Sequence, residues 1–276
     1  MCCKSIFCCP VCGSELLKKD KSYHCGNGHC FDCAKSGYVN LLTSDKMNAK
    51  APGDNKLMVN ARSDFLNKGY YSHLRASLSR CISELMDDAG ILLDAGCGEG
   101  YYTEGVVSAL KASGKNIRAA AIDISKFAAA KAAKRAYAET AVASVFHIPI
   151  KDGGCDMLMN VFAPLCLDEY SRVLRAGGHM ILVIPGKQHL WELKKAVYDK
   201  PYENSPKNSF IEGYELIESL SADNRIVLET NEDIKALFAM TPYFYKTSDR
   251  DKAKLEHLDT LEVQTEFEIL CYKKGE

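Results

Sequence analysis

At 276 residues, 47% hydrophobic and 26% charged, the chain has the make-up of a globular protein with one large α/β core and room for a small appendage. No apolar run reaches the ~18 residues of a bilayer span, and no signal-peptide pattern opens the chain, so it is expected to be cytoplasmic and off the membrane. The net charge of −1 hides an asymmetry: residues 1–75 carry 11 Lys/Arg against 6 Asp/Glu, about +5, which points to an acidic partner for the front alone.

Six of the 13 cysteines fall between Cys8 and Cys33, while those of the body are scattered among apolar residues. That is a pattern of reduced thiols with one metal site, not of a secreted disulfide framework. A structural zinc takes four Cys or His ligands, delivered as two close pairs on tight turns. Cys9 and Cys12 supply one pair, in a CPxC turn followed by Gly13. The second pair is either Cys25 with His29, across a CxxxH turn loosened by Gly26 and Gly28, or Cys30 with Cys33, a further CxxC. Spacing alone leaves both open and favours the second set at least as much as the first. A segment this short has too little core to fold alone, so its metal is expected to supply folding energy, not catalysis.

Further along, "ILLDAGCGEGYYTEGVVSAL" reads as an apolar strand ending in Asp94, a turn with Gly96, Gly98 and Gly100, and a helix beginning near Tyr101. Glycines there let a ligand approach the backbone at the carboxyl end of a parallel strand, beside a helix amino terminus. The spacing is GxGxG after an acid, not GxGxxG. Asp94 and Glu99 would repel a pyrophosphate and attract the ammonium group of S-adenosylmethionine. The next strand, in "RAAAIDISK", ends at Asp123, 23 residues after Gly100, where a carboxylate can accept both ribose hydroxyls of a nucleoside. Strand, glycines, helix, strand and terminal acid in this order are far more specific than a glycine turn alone.

The remainder alternates as a doubly wound sheet requires: helix 125–137, strand 141–146, strand 155–161, helix 166–174, strand 179–184 after the "RAGGH" turn, and helix 189–197. Strands at 225–229 and 262–272 are expected to finish the sheet as an antiparallel pair.

Taken together, "CPVC", "CGNGH", "AKSGYVNLL", "PGD" at 52–54, "FLNKGYY", "LDAGCGEGYYT", "DISK", "AP" at 163–164, "PGKQHLWELK" and "MTPY" resemble the bacterial 23S ribosomal RNA guanine-N1 methyltransferases over nearly the whole chain. The resemblance implies a Rossmann-like class I methyltransferase over 43–276, α/β, with a doubly wound, mostly parallel seven-stranded sheet. A small zinc-binding, RNA-recognising domain over 1–42 would precede it. The implied cofactors are S-adenosylmethionine and a structural zinc, the zinc held by Cys9, Cys12, Cys25 and His29, which makes Cys30 and Cys33 bystanders. The resemblance also implies that Tyr71, the loop around Gly98 and Glu99, and His189 touch S-adenosylmethionine, beside Asp94, Gly96, Gly100 and Asp123 of the strand ends. The implied substrate is a guanine in a hairpin loop of 23S rRNA, and the implied assembly a homodimer with an RNA cleft between subunits.

Guanine N1 carries a proton and is a poor nucleophile until that proton leaves. The base must therefore be unstacked, aligned with the sulfonium methyl and relieved of its proton, none of which needs a metal. After the fourth strand, "NVFAPLC" lacks the Asn/Asp-Pro-Pro-aromatic pattern of exocyclic-amine methylation, and Cys166 is one residue displaced from the Pro-Cys pair of pyrimidine carbon-5 methylation. For the proton acceptor the sequence offers only His147, Asp168 and Glu169. Two rival readings are a small-molecule methyltransferase, opposed by the basic zinc-bearing front, and a non-catalytic zinc-containing nucleic-acid-binding protein, opposed by the intact cofactor loop.

Overall fold

The computed structural model describes residues 2–43, 53–205 and 209–276. The front is a four-stranded antiparallel meander of β1 (Cys2–Cys8), β2 (Glu15–Lys19), β3 (Ser22–Cys25) and β4 (Cys30–Asp32), hydrogen-bonded in that order. Apolar side chains on its inner face, Ile6, Phe7, Leu16 and Tyr23, belong to the same buried cluster as Leu93, Ala120, Ala141 and Ile148 of the body. Polar contacts reinforce the join: the Ser5 hydroxyl donates to Glu139 at 2.7 Å, Cys8 N–H to the Pro149 carbonyl at 2.7 Å, and Arg118 to the Lys4 carbonyl at 2.8 Å.

β5 (Val39–Asn40) then leaves the meander, and α1 (Lys56–Asn67) and α2 (Ser72–Leu85) lead into the alternating body. There follow β6 (Ala89–Ala95), α3 (Tyr101–Ala112), β7 (Asn116–Asp123), α4 (Lys126–Arg135), β8 (Glu139–Val142), β9 (Cys155–Val161), α5 (Leu167–Val173), β10 (Leu174–Pro185) and α6 (Trp191–Val197). The chain ends with β11 (Tyr214–Ser221), β12 (Asn224–Leu228), α7 (Asn231–Ala239), α8 (Asp249–Ala253), β13 (Leu261–Thr265) and β14 (Phe267–Lys274). The main sheet runs β11-β14-β10-β9-β6-β7-β8-β5, with β14 antiparallel to both its neighbours and the other pairs parallel. β9 is an almost unbroken apolar run because helices cover both faces of a parallel sheet. Among the described residues no helix is long and apolar enough to cross a membrane.

Three expectations are corrected. The sheet has eight strands, not seven, because β5 from the front segment pairs in parallel with β8 at the edge. The antiparallel finish is β11 with β14, whereas residues 225–228 pair with β13 in a separate two-stranded ribbon. The expected strand 262–272 is interrupted at Glu266, whose carbonyl accepts from Gly186 N–H at 2.8 Å and whose carboxylate accepts from Gln188 N–H at 2.6 Å. Serving that loop takes Glu266 out of the ladder. β11 gave no sequence signal because it is an exposed edge strand with little apolar alternation. The expected boundary after residue 42 adjoins residues 44–52, which lie outside the described residues, as does Pro52 of the "PGD" stretch.

Candidate active site and metal centre

Two turns build the metal centre. Cys9 N–H donates to the Ser14 carbonyl and Gly13 N–H to the Cys9 carbonyl, both at 2.8 Å, with Gly13 at φ +72°. On the other turn Cys25 N–H donates to the His29 carbonyl at 3.0 Å and Gly28 N–H to the Cys25 carbonyl at 3.1 Å, with Gly28 at φ +84°. The left-handed backbone at each glycine folds the loop back so that its two ligand side chains converge. Donor atoms of Cys9, Cys12, Cys25 and His29 all lie within 4.8 Å of one another. The individual spacings are 3.8 Å for Cys12 Sγ to Cys25 Sγ, 3.3 Å for Cys25 Sγ to His29 Nδ1 and 3.6 Å for Cys9 Sγ to His29 Nδ1. A tetrahedral zinc with Zn–S near 2.3 Å has edges of about 3.8 Å, so the four donors fit this ion.

Cys30 and Cys33 are not brought into this cluster. β3 and β4 pair antiparallel with His24 opposite Cys30, which places the Cys30 thiol on the face of His24, 3.8 Å from its Nε2. Side chains alternate along a strand, so the face carrying His24 and Cys30 is the one Cys25 turns away from.

The body opens a cavity of about 860 Å³ at the carboxyl ends of β6, β7 and β9. Small-molecule sites occupy about 300–1,000 Å³, so this one has space for a cofactor with part of a second reactant. Its floor is the glycine loop. Gly96, at φ +93°, lies where a Cβ would come within 2.3 Å of the Ala163 Cβ, and Gly98, at φ +55°, faces open space. Asp123, at the tip of β7, accepts from Gly98 N–H at 2.9 Å and from Ser125 N–H at 2.7 Å, one bond on each carboxylate oxygen. Each oxygen keeps lone-pair capacity for a further donor.

Asp94 at the end of β6 is 1% exposed. One of its oxygens accepts from the Thr103 hydroxyl and the other, Oδ1, has no partner. Burial without a counter-charge pushes its pKa up to about 7. The Tyr102 hydroxyl on the same wall is likewise buried without a partner. Unpaired buried polar atoms are costly, and here they line a ligand-sized space.

Tyr71 and His189 also line the cavity, their rings 6.4 Å apart and each packed on Phe267, at 5.0 and 4.5 Å. Burial holds the His189 pKa down at about 3, so the imidazole is neutral. Its Nδ1 accepts from Glu266 N–H at 3.2 Å, which leaves the ring proton on Nε2. Residues from α1 and from the segment after α7, among them Met58, Arg62, Thr241 and Tyr243, complete the wall.

Tyr71, Asp94, Gly96, Gly98, Glu99, Asp123 and His189 therefore border one cavity, and Gly100 does not. Gly100 instead begins α3 at φ +87°, with the Ala132 backbone 3.0 Å from where a Cβ would stand. Glu99 is shared between the cavity and a neighbouring helix: its Oε2 accepts from Arg135 Nε at 3.0 Å, while its buried Oε1 has no partner. Arg135 had no sequence signal, because 36 residues separate it from Glu99. His147 and Asp168 are exposed, Glu169 is occupied by Arg172 and by Ile148 N–H, and none of the three borders the cavity. The sequence reading also passed over Tyr102, Arg62 and Phe162. Of these, Tyr102 had a usable signal in its place on the first turn after the glycine loop.

Comparison with known proteins bears on the fold class and the family. A family model described as "RlmA, N-terminal", a zinc ribbon, matches residues 7–50, and one described as "Methyltransferase domain" matches residues 93–182. A 23S rRNA (guanine(748)-N(1))-methyltransferase of Streptomyces fradiae is 35% identical over 68% of this chain and 66% of that one. A candidate 23S rRNA (guanine-N(1)-)-methyltransferase of Micromonospora griseorubida is 35% identical over 67% of each chain. A further candidate of that name from Bacillus subtilis is 28% identical over 98% of each. The alignments with the first two span about two thirds of those relatives' lengths. Fold and site together define a class I S-adenosylmethionine-dependent methyltransferase with an amino-terminal zinc ribbon. More particularly, the chain belongs to the 23S rRNA (guanine-N1)-methyltransferase family.

Proposed function

We propose that this protein transfers the methyl group of S-adenosylmethionine to N1 of a guanine in a hairpin loop of 23S ribosomal RNA. One observation carries the reading. A single cavity collects the unpartnered Asp94 Oδ1, the unpartnered Tyr102 hydroxyl and the Asp123 carboxylate, and has room beyond them for a second reactant, in a chain whose relatives are named for this reaction.

In this reading Asp123 accepts the ribose hydroxyls and Asp94, one strand over, faces the ammonium group. Neutral His189 offers its Nε2 proton near Tyr71 at the methionine end. The cofactor, when bound, supplies an electrophilic methyl on a sulfonium. The walls would align the guanine with that methyl group; N1 gains the methyl as the methyl–sulfur bond breaks to leave a neutral thioether, and the N1 proton is lost to solvent. Cys9, Cys12, Cys25 and His29 are proposed to hold the zinc, which crosslinks two turns of a meander too small to be stable alone and stands outside the transfer. Residues 1–42 are proposed to be the RNA-reading part. Assembly as a homodimer rests on the family resemblance, and sedimentation equilibrium measures it. The same reading puts the protein in the cytoplasm, with ribosomal RNA.

The test is mass mapping of methylated nucleotides in 23S RNA from cells with and without the gene. Loss of one N1-methylguanosine is expected. An unchanged set of methylated guanines refutes the assignment.

A further inference from the structure

We propose that Phe162 is the surface on which the target guanine stacks while N1 meets the methyl group, an inference that rests on the reaction given above. Phe162 follows β9 and has φ +59°, a left-handed backbone that bulky L residues seldom adopt without compensation from their surroundings. The surroundings supply it. The Asn160 side chain accepts from Ala163 N–H at 3.1 Å and donates to the Pro164 carbonyl at 3.1 Å and to the Tyr170 hydroxyl at 2.6 Å, clamping the loop on either side. Phe162 N–H itself donates to the Val183 carbonyl at 3.3 Å. A glycine would occupy this backbone without strain. The strained position instead holds a large ring that is not used as core: Phe162 remains 45% exposed, on the cavity wall.

Its place along the sheet says which reactant it meets. With ribose on Asp123 of β7 and ammonium facing Asp94 of β6, the sulfonium lies between these strand ends. β9, which carries Phe162, is the neighbour of β6 on the side away from β7. The exposed Phe146 follows β8, on the nucleoside side, and suits the cofactor's own adenine. Phe162 is also held rigid, with Phe267 at 5.4 Å and Tyr102 at 6.4 Å against parts of its ring. A guanine drawn out of an RNA loop loses its stacking partners, and a fixed aromatic face replaces them.

The experiment uses the full-length zinc-loaded protein with a 23S hairpin fragment, and compares Phe162→Ala, Phe162→Leu and Phe162→Tyr. Removing the aromatic face should lower kcat/KM for RNA by roughly tenfold to a hundredfold in both Phe162→Ala and Phe162→Leu, the scale of one base stacked on one ring. Phe162→Tyr should stay within about threefold of wild type, and calorimetric affinity for S-adenosylmethionine should stay within about twofold in every variant. Wild-type kcat/KM in Phe162→Leu would overturn the proposal, since bulk alone would then suffice. So would a loss of cofactor affinity in Phe162→Ala matching its loss of activity, since the ring would then serve the cofactor. Failure of the wild-type protein to methylate guanine N1 in any 23S fragment would remove the underlying reaction, a result visible before any variant is compared.

Discussion

Affinity for S-adenosylmethionine is expected to rise with pH up to about 7 and then level off, and Asp94→Asn is expected to remove most of that slope. Asp94 is buried, has one oxygen without a partner, and carries a pKa raised to about 7 by desolvation. An ammonium group is held by the carboxylate, so the binding form is the ionised one. Because the pKa is raised, the free protein below pH 7 holds Asp94 mostly protonated, and binding must drive that proton off. At pH 6 about a tenth of the molecules are ionised and at pH 5.5 about 3%, so Kd at pH 5.5 should be roughly 30-fold weaker than at the plateau. Stability of the free protein runs the other way: this group's contribution is full below the ordinary carboxylate range and is lost as pH rises through about 7. His189, with its pKa down at about 3, stays neutral across the window, while burial raises Asp123 as well and adds in the same direction. Titration calorimetry between pH 5.5 and 7.5, in two buffers of different ionisation enthalpy, reads both Kd and protons released. Wild type should release close to one proton at pH 6 and Asp94→Asn distinctly fewer. A flat Kd across this range, or the same slope in Asp94→Asn, would refute the reasoning.

Asp123→Ala should weaken S-adenosylmethionine binding by about 1.5–3 kcal/mol, the scale of lost hydrogen bonds to a charged group, with unchanged zinc content; wild-type affinity by calorimetry would remove Asp123 from the site. Cys12→Ser and Cys25→Ser should lower zinc below one ion per chain and lose the cooperative melting of the front meander, whereas Cys30→Ser and Cys33→Ser should keep both, as metal analysis and near-ultraviolet dichroism would record. Lys18, Lys19 and Lys21 stand on the β2–β3 hairpin, with Lys19 and Lys21 exposed. Replacing all three with Ser should weaken binding of a 23S hairpin and flatten its salt dependence by up to about three units of slope, with cofactor affinity unchanged. Wild-type affinity and slope in that triple variant would show that RNA is read elsewhere.

Local chemistry made half of this protein legible from its residues. An apolar run, an acid, three glycines and a helix-forming run are a contiguous motif, so Asp94, Gly96, Gly98 and Asp123 could be placed on strand ends before any fold was known, and "CDMLMNV" marked β9 to the residue. Helix α4, expected over 125–137, runs from Lys126 to Arg135 with Ser125 as its cap, because capping and apolar spacing are local signals. Contacts between distant segments were closed to this kind of reading. Spacing alone left Cys25 with His29 and Cys30 with Cys33 both open; the resemblance implied the first pair, and the antiparallel pairing of β3 with β4, which sends Cys30 to the face of His24, supplies the physical reason. The pairing of Glu99 Oε2 with Arg135 at the end of α4, 36 residues on, had no local signal either. The eighth strand and the break at Glu266 likewise depend on partners far along the chain. Hydrogen-bonding partners and burial are properties of assembled surfaces, which is why the sequence could determine which strand ends carry acids and glycines while only the tertiary structure decided which side chains stay unpaired there.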